Sequence, residues 1–292
     1  MTPEPELSSG LDLGDALRVI DAALVEDVGS GDVTSLAVIA EGVRFRGVMR
    51  ARHSMVIAGL PVAREVFRRV VPEASFRSLV ADGAAVGAGD VLAQIDGPAQ
   101  GLLTAERTAL NFLQALSGIA TLTRQYVDKL QKYKTRILDT RKTTPNFRLL
   151  EKEAVRIGGG INNRFGLYDM ILIKDNHIDY AGSVEKAIER ANAYRRAYRP
   201  HLKIEVETRN IEEVQRVLDV GQVDRIMLDN FAPRQLSKAL ALIGEQFETE
   251  ASGGINLNNV EDYARTGVDY VSIGGLIHQA RSLDLSLKAI VK

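Results

Sequence analysis

Three stretches of this chain concentrate groups that can bind and polarise an anion: Asp139-Thr-Arg-Lys-Thr-Thr-Pro, Gly158-Gly-Gly-Ile-Asn-Asn-Arg164 and Ile173-Lys-Asp-Asn-His177. The span from Asp139 to His177 that they mark out carries Arg141, Lys142, Arg148, Arg164 and Lys174. A solvated helix face would intersperse acids and bases at helical spacing. Here the cations stand beside apolar runs and glycines, where side chains and backbone N–H groups can converge on one polyanion. Arginine grips a planar carboxylate or phosphate with two parallel hydrogen bonds, whereas lysine acts as a compact charge. Several cations at one mouth repel each other unless an anion of several charges fills it. The competing reading is that some of them pair with Glu151, Glu153 or Asp169 on nearby surfaces, most simply Arg148 and Arg156.

Carboxylates and glycines recur downstream. Glu207 and Asp229 each close an apolar run, a place from which a carboxylate can hold Mg²⁺, accept ribose hydroxyls or stabilise a sugar that becomes positive. Glu205 lies two residues before Glu207, so in a strand it faces the same way and is a possible second ligand. Ser252-Gly253-Gly254 and Gly274-Gly275 close the last two runs, as turns that hold a phosphate on backbone N–H groups do. His177 and His278 are candidate acid/base groups, although a lone histidine is more often structural.

These residues need a scaffold that aligns strand ends. From residue 134 the chain alternates short apolar runs with longer helical stretches: Arg136-Ile-Leu, Met170-Ile-Leu-Ile, Leu202-Lys-Ile-Glu-Val, Arg225-Ile-Met-Leu, Glu248-Thr-Glu-Ala-Ser and Tyr270-Val-Ser-Ile. The alternation predicts βα units and a parallel sheet. Six units are too few for the usual eight-fold barrel, so the expectation is α/β with a shortened six-unit (β/α) barrel. Every run ends in polar or glycine residues, at the edge where parallel barrels build their sites.

Before that, residues 1–117 read as an N-terminal α/β sandwich domain. Leu13, Leu17, Ile20 and Leu24 have helical spacing, and Val43–Arg50 alternates as a half-buried strand. Residues 81–97 read as short strands with glycine turns. That segment resembles biotinyl and lipoyl carrier domains, but it has no lysine at a hairpin tip to bear the cargo. Thr104 is placed as the cap of a long helix through Leu110, Leu113, Leu116 and Ile119, in which Gly118 either makes a kink or admits another element closely. The barrel domain is expected over 118–276, and 277–292 as a C-terminal segment packing back on the N-terminal domain.

Composition narrows the class. The 292 residues are 45% hydrophobic and 26% charged, enough for full-sized cores in two domains. A formal net charge of −1 gives no field to draw in nucleic acid or a membrane surface. With no cysteine, disulfides, thiolate zinc sites and a cysteine nucleophile are excluded. The acidic start, Met1-Thr-Pro-Glu-Pro-Glu-Leu, lacks a secretory pattern, and no apolar run is long enough to span a bilayer. A cytoplasmic enzyme is expected.

The ordered set of motifs resembles the quinolinate phosphoribosyltransferases, also called carboxylating nicotinate-nucleotide pyrophosphorylases. It comprises Glu26-Asp-Val-Gly-Ser-Gly-Asp-Val-Thr-Ser, Ala105-Glu-Arg-Thr-Ala-Leu-Asn, Asp139-Thr-Arg-Lys-Thr, Lys174-Asp-Asn-His, Glu205-Val-Glu, Leu228-Asp-Asn-Phe and Ser252-Gly-Gly. Any one of them is weak; together they cover most of the chain. The resemblance implies a sandwich domain on an α/β barrel, a homodimer or higher oligomer with its site near the subunit interface, and Mg²⁺ as cofactor. The reaction would join quinolinate to phosphoribosyl pyrophosphate, giving nicotinate mononucleotide, pyrophosphate and carbon dioxide in NAD biosynthesis.

It also implies roles. Arg141, Arg164 and Lys142 would bind quinolinate, with Arg107 contributed from the partner subunit. Lys174 would meet the phosphoribosyl part, Glu207 and Asp229 the ribose and metal, and Ser252, Gly253, Gly254, Gly274 and Gly275 the 5′-phosphate. Lys142, Lys174, Glu207 and Asp229 form the expected catalytic set. One position departs from the family, which usually reads Asn-His-Arg where this chain has Asn162-Asn163-Arg164. Asn163 can donate a hydrogen bond to the substrate carboxylate but cannot carry charge. Three other readings compete: a phosphoribosyltransferase for a related acid, such as the paralogue found with molybdate transport; a Schiff-base enzyme using Lys174; and a non-catalytic binding protein.

Overall fold

In the computed structural model, which describes residues 13–290, the chain divides into two compact units, and each follows from a different periodicity. The acidic N-terminal stretch lies outside the described residues.

The first unit gathers residues 13–124, 143–159 and 276–290. It opens with α1 (Leu13–Val28) and α2 (Val33–Val38), the latter capped by Asp32, which accepts from the N–H groups of Thr34 and Ser35 at 3.1 and 3.0 Å. Then come β1 (Arg44–Ala51), β2 (Met55–Val56), α3 (Leu60–Val70), β3 (Ser75–Ser78), β4 (Ala85–Val86), β5 (Val91–Pro98) and α4 (Ala99–Leu130). Asp82 caps α3 by accepting from Gly59 and Leu60 N–H at 2.9 and 3.0 Å, and Leu60, Ala63, Val66 and Phe67 bury one face of that helix. A four-stranded sheet runs in the order β12-β1-β5-β3, where β12 (Leu285–Ala289) is the last strand of the chain and pairs antiparallel with β1. β2 and β4 form a separate two-stranded ladder.

Two expectations need correction here. Thr104 does not cap α4: the helix begins five residues earlier, at Ala99, directly after Pro98, and Thr104 Oγ1 donates to the Gln100 carbonyl at 2.9 Å within it. The Ala99 N–H is satisfied by Val43 O at 2.8 Å, so the start needs no side-chain cap. Residues 143–159, placed in the barrel by the sequence reading, cluster with the first unit and include α5 (Arg148–Ile157). Gly118 does not break α4. A Cβ there would stand 2.1 Å from the backbone oxygen of Arg281, so glycine admits a neighbouring segment.

The second unit gathers 125–142 and 160–275. All six apolar runs become strands of one parallel sheet: β6 (Arg136–Leu138), β7 (Ile171–Ile173), β8 (Ile204–Thr208), β9 (Arg225–Asp229), β10 (Glu248–Ser252) and β11 (Tyr270–Ser272). Their order, β6-β11-β10-β9-β8-β7, describes a barrel-like sheet with β6 and β7 as its edges. The helices between them are α6 (Asp175–Ala181), α7 (Val184–Tyr198), α8 (Ile211–Val220), α9 (Pro233–Ile243) and α10 (Val260–Ala264), with α11 (Gly275–His278) after β11. Ser183 and Asn210 cap α7 and α8 by accepting from the N–H groups of Lys186 and Glu213. Ile204, Val206, Ile226, Leu228, Ala251 and Val271 are fully buried, as expected of strands covered on both faces.

Gly118→Ala tests the close packing. Helix propensity alone favours alanine by about 1 kcal/mol, but overpacking against a backbone oxygen costs about 1–3 kcal/mol. Denaturant unfolding followed by circular dichroism is expected to show net destabilisation; a stabilised variant would mean that the Arg281 segment yields freely.

Candidate anion-binding active site

The rim begins at the open edge of β6. Ile161 forms a parallel bridge with Leu138, its N–H donating to Ile137 O at 2.8 Å and its carbonyl accepting from Asp139 N at 3.1 Å. Asp139 is fully buried and accepts the Asn163 N–H at 2.8 Å. This bond fastens the Ile161–Arg164 segment to the end of β6, so two cationic stretches distant in sequence become neighbours. Arg164 is half-buried; its backbone N–H donates to Asn163 Oδ1 at 2.8 Å and its Nη1 to Met170 O at 3.3 Å. Burial pushes its guanidinium below the ordinary value and the charge of Arg141 pushes the same way, with Glu205 and Asp169 opposing. The two arginines therefore feel each other's charge. Lys142 is exposed beside Arg141, in a turn where its N–H donates to Thr140 Oγ1 at 3.1 Å. Asp169 accepts from the N–H groups of Phe165 and Gly166 at 2.6 and 2.8 Å, shaping the loop that follows Arg164.

Lys174 follows β7 directly, and its Nζ donates to Glu207 Oε2 on the adjacent strand at 2.5 Å. The lysine side chain is 44% exposed and that of Glu207 10%, so the pair stands at the boundary of the sheet interior. His177 has a structural role: its Nδ1 accepts the Lys174 N–H at 2.9 Å and closes the first turn of α6. His278 is exposed on α11 and belongs to the first unit.

Glu205 shares a strand face with Glu207 but lies opposite Arg225, one pleat deeper, and is fully buried. Burial and then the neighbouring Glu250 push its carboxyl well above the usual range, against Arg225 and Arg164. The cause is an interior charge layer. Arg225 donates through Nη1 to Glu250 at 3.1 Å and through Nη2 to Glu248 at 3.1 Å, and its guanidinium lies 4.3 Å over the Tyr270 ring. Glu205 belongs to that layer and is not the second rim ligand that the sequence suggested.

Asp229 ends β9, half-buried, and receives the Asn230 Nδ2 at 2.6 Å. Asn230 adopts a left-handed backbone (φ 57°), and its N–H donates to Ser252 O at 2.8 Å. Gly253 (φ 96°) and Gly254 (φ 64°) follow Ser252, with the Gly254 carbonyl accepting from Asn256 and Asn259 side-chain amides at 3.3 and 3.1 Å. Gly274 follows β11 and Gly275 opens α11. The strand order thus sets the ends in sequence around one rim: Lys174, Glu207, Asp229, Ser252–Gly254, Gly274–Gly275, then Asp139–Lys142.

One expected site residue, Arg107, and the basic-cluster residue Arg148 lie in the first unit. Arg107 is exposed on α4, and Arg148 donates from Nε to Thr143 Oγ1 at 2.9 Å. Arg156 pairs with Glu153 at 2.6 Å, as the surface reading has it. Sequence reasoning missed Asn230 and the structural role of Asp139. The signals available were an asparagine directly after a strand-ending aspartate, and an aspartate at a strand end ahead of the basic pair.

Known proteins share this arrangement. Residues 119–288 match the family described as quinolinate phosphoribosyl transferase, C-terminal domain, and residues 32–117 match its N-terminal domain. A probable carboxylating nicotinate-nucleotide pyrophosphorylase of Synechocystis is 44% identical over 91% of this chain and 90% of its own length. A mitochondrial decarboxylating quinolinate phosphoribosyltransferase of Nicotiana tabacum is 42% identical over 94% of this chain and 82% of its own. Among solved structures, NadC from Streptococcus pyogenes superposes with a TM-score of 0.91 at 40% identity, covering 97% of this chain and all of that one. The nicotinate-nucleotide pyrophosphorylase from Francisella tularensis gives 0.89 at 36% identity, over 94% of this chain and 96% of its own.

The mutual repulsion of Arg141 and Arg164 makes an anion test direct. An aromatic 1,2-dicarboxylate at a hundred times its Kd is expected to stabilise the protein by about 2.7 kcal/mol, read as a rise in Tm. Arg164→Leu is expected to abolish the rise; an equal rise in that variant would place the anion elsewhere.

Proposed function

Because the chain belongs to the quinolinate phosphoribosyltransferase family, we infer that it joins quinolinate to phosphoribosyl pyrophosphate with decarboxylation, yielding nicotinate mononucleotide, pyrophosphate and carbon dioxide for NAD biosynthesis. The observation that carries this reading to the site is the pair of guanidiniums, Arg141 and Arg164, close enough to oppose each other's charge at a rim that also bears Lys174–Glu207 and Asp229. Quinolinate is a planar dicarboxylate, and two forked cations are its natural receptors. Lys142 and Asn163 complete that half of the site. Asn163 Oδ1 already accepts from Arg164 N, so its contribution toward a carboxylate is as a donor.

The chemistry asks mainly for alignment and charge. The ring nitrogen attacks the ribose carbon that bears pyrophosphate, and the C–O bond to pyrophosphate breaks as the sugar gains oxocarbenium character. Glu207 and Asp229 stabilise that positive charge more than they stabilise the ground state. Lys174, held against Glu207, faces the phosphoribosyl group, and the Ser252–Gly254 and Gly274–Gly275 turns receive its 5′-phosphate. The alkylated ring then accepts the electron pair of the departing carboxylate, carbon dioxide leaves, and a proton takes its place on the ring carbon. No base is needed for the nucleophile, because the ring nitrogen already carries the attacking lone pair.

Glu207 and Asp229, hard oxygen donors on adjacent strands, fit Mg²⁺, an ion that takes one or two carboxylates and completes its shell with water and substrate phosphates. Bound there, it would neutralise charge developing on pyrophosphate.

A homodimer is supported by the exposed apolar surface of α1 and α2, with Val25, Val33, Leu36 and Val38 each 63–74% exposed. In such a dimer Arg107 would serve the partner's site.

Incubation with both substrates is expected to release nicotinate mononucleotide and carbon dioxide in equal amounts, only with Mg²⁺. Turnover of nicotinate in place of quinolinate would instead assign a different acid. Mixing Arg107→Ala with Arg141→Ala subunits, each inactive alone, is expected to restore activity in mixed dimers; no recovery would mean Arg107 does not act across subunits.

A further inference from the structure

Asn230 touches both halves of the phosphoribosyl end of the rim. Its Nδ2 donates to Asp229 Oδ2 at 2.6 Å, and its backbone N–H donates to Ser252 O at 2.8 Å. Its amide oxygen packs against Gly253: a Cβ on that glycine would stand 2.1 Å from Asn230 Oδ1 and 2.6 Å from Cγ. The residue holds a left-handed backbone at φ 57°, a conformation asparagine tolerates better than most side chains. One short side chain therefore fixes a carboxylate at the end of β9 and seats on the glycine turn at the end of β10.

We propose that Asn230 is a positioning residue for the phosphoribosyl donor, locking the Asp229 carboxylate and the Gly253 turn into one rigid unit so that ribose and 5′-phosphate are gripped at a fixed separation. The proposal rests on the assignment of Asp229 and Gly253 to that substrate. An ionised carboxylate has several lone pairs and can rotate; a donor fixed to one oxygen sets which edge faces the sugar. The same amide fills the space above Gly253, so the turn cannot shift toward β9 without displacing the group that orients Asp229. The quinolinate half of the rim, at Arg141 and Arg164, has no part in this contact.

The alternative is that Asn230 merely makes a left-handed turn. Asn230→Gly separates the two, because glycine adopts that backbone freely and removes only the amide. Binding of phosphoribosyl pyrophosphate with Mg²⁺, and separately of quinolinate, is measured by titration calorimetry, alongside Tm and steady-state kinetics. The expected result is a Kd for phosphoribosyl pyrophosphate weakened about tenfold, the scale of one lost hydrogen bond to a charged group. Quinolinate binding and Tm should stay unchanged. Asn230→Asp, which keeps the shape but replaces the donor with an acceptor, is expected to weaken binding at least as much, and it gives the same reading should the glycine variant not fold. Wild-type affinity in Asn230→Gly, with Asp229→Asn impaired, overturns the proposal and leaves the site assignment standing. Wild-type affinity in Asp229→Asn overturns the assignment and the proposal together.

Discussion

A parallel sheet that stops short of closure has an edge strand on either side, and the rim chemistry of this protein depends on how the β6 edge is covered. An uncovered edge leaves backbone N–H and C=O groups unpaired. Here Ile161 takes the place a further strand would occupy, and the buried Asp139 carboxylate extends that pairing by one more bond, to Asn163 N. The cover for the edge is also the carrier of Arg164. Stability and ligand recognition thus share a segment: the hydrogen bonds that satisfy the sheet bring a second guanidinium to the mouth beside Arg141.

Charge is arranged in two tiers. At the rim, cations and carboxylates alternate in pairs that a substrate can reach, as Lys174 with Glu207. Beneath it, the interior that most barrels fill with aliphatic side chains holds Arg225 with the buried Glu205 and Glu250, while the partly exposed Glu248 and Tyr270 flank the guanidinium. Burying such a set is costly unless its members satisfy each other. The buried Glu205 and the rim Arg164 also act on each other through their charges, each favouring the ionised form of the other.

Much of this could be read from the chain before its fold was known. The six strands were legible because runs such as Arg225-Ile-Met-Leu must be buried on both faces, and the site was legible because all six end in polar or glycine residues. Gly118 was legible as a point of close approach. What escaped is what depends on partners distant in sequence. Thr104 looks like a helix start, yet the backbone bond of Ala99 to Val43 begins the helix a turn earlier. Glu205 and Glu207 carry the same sign on the same face, and only burial opposite Arg225 separates a lumen carboxylate from a rim one. His177 shows in sequence only as a titratable ring, and its part in closing a helix turn appears only in the fold. Asn230 shows in sequence only as part of a motif, because its contact with Gly253 joins neighbours in space and not along the chain.

The pairing of β12 with β1, Gly47 opposite Ala289, has a consequence for biogenesis. During synthesis β1 emerges before the parallel sheet and its partner after it, so the first unit stays one strand short while the whole of that sheet is made. Until then β1 offers an open antiparallel edge on a ribosome-bound chain, a template for mispairing with a neighbouring nascent copy. Completion of the small sheet therefore waits for residues 285–289: a chain cut before residue 285 has every rim residue and still exposes that edge.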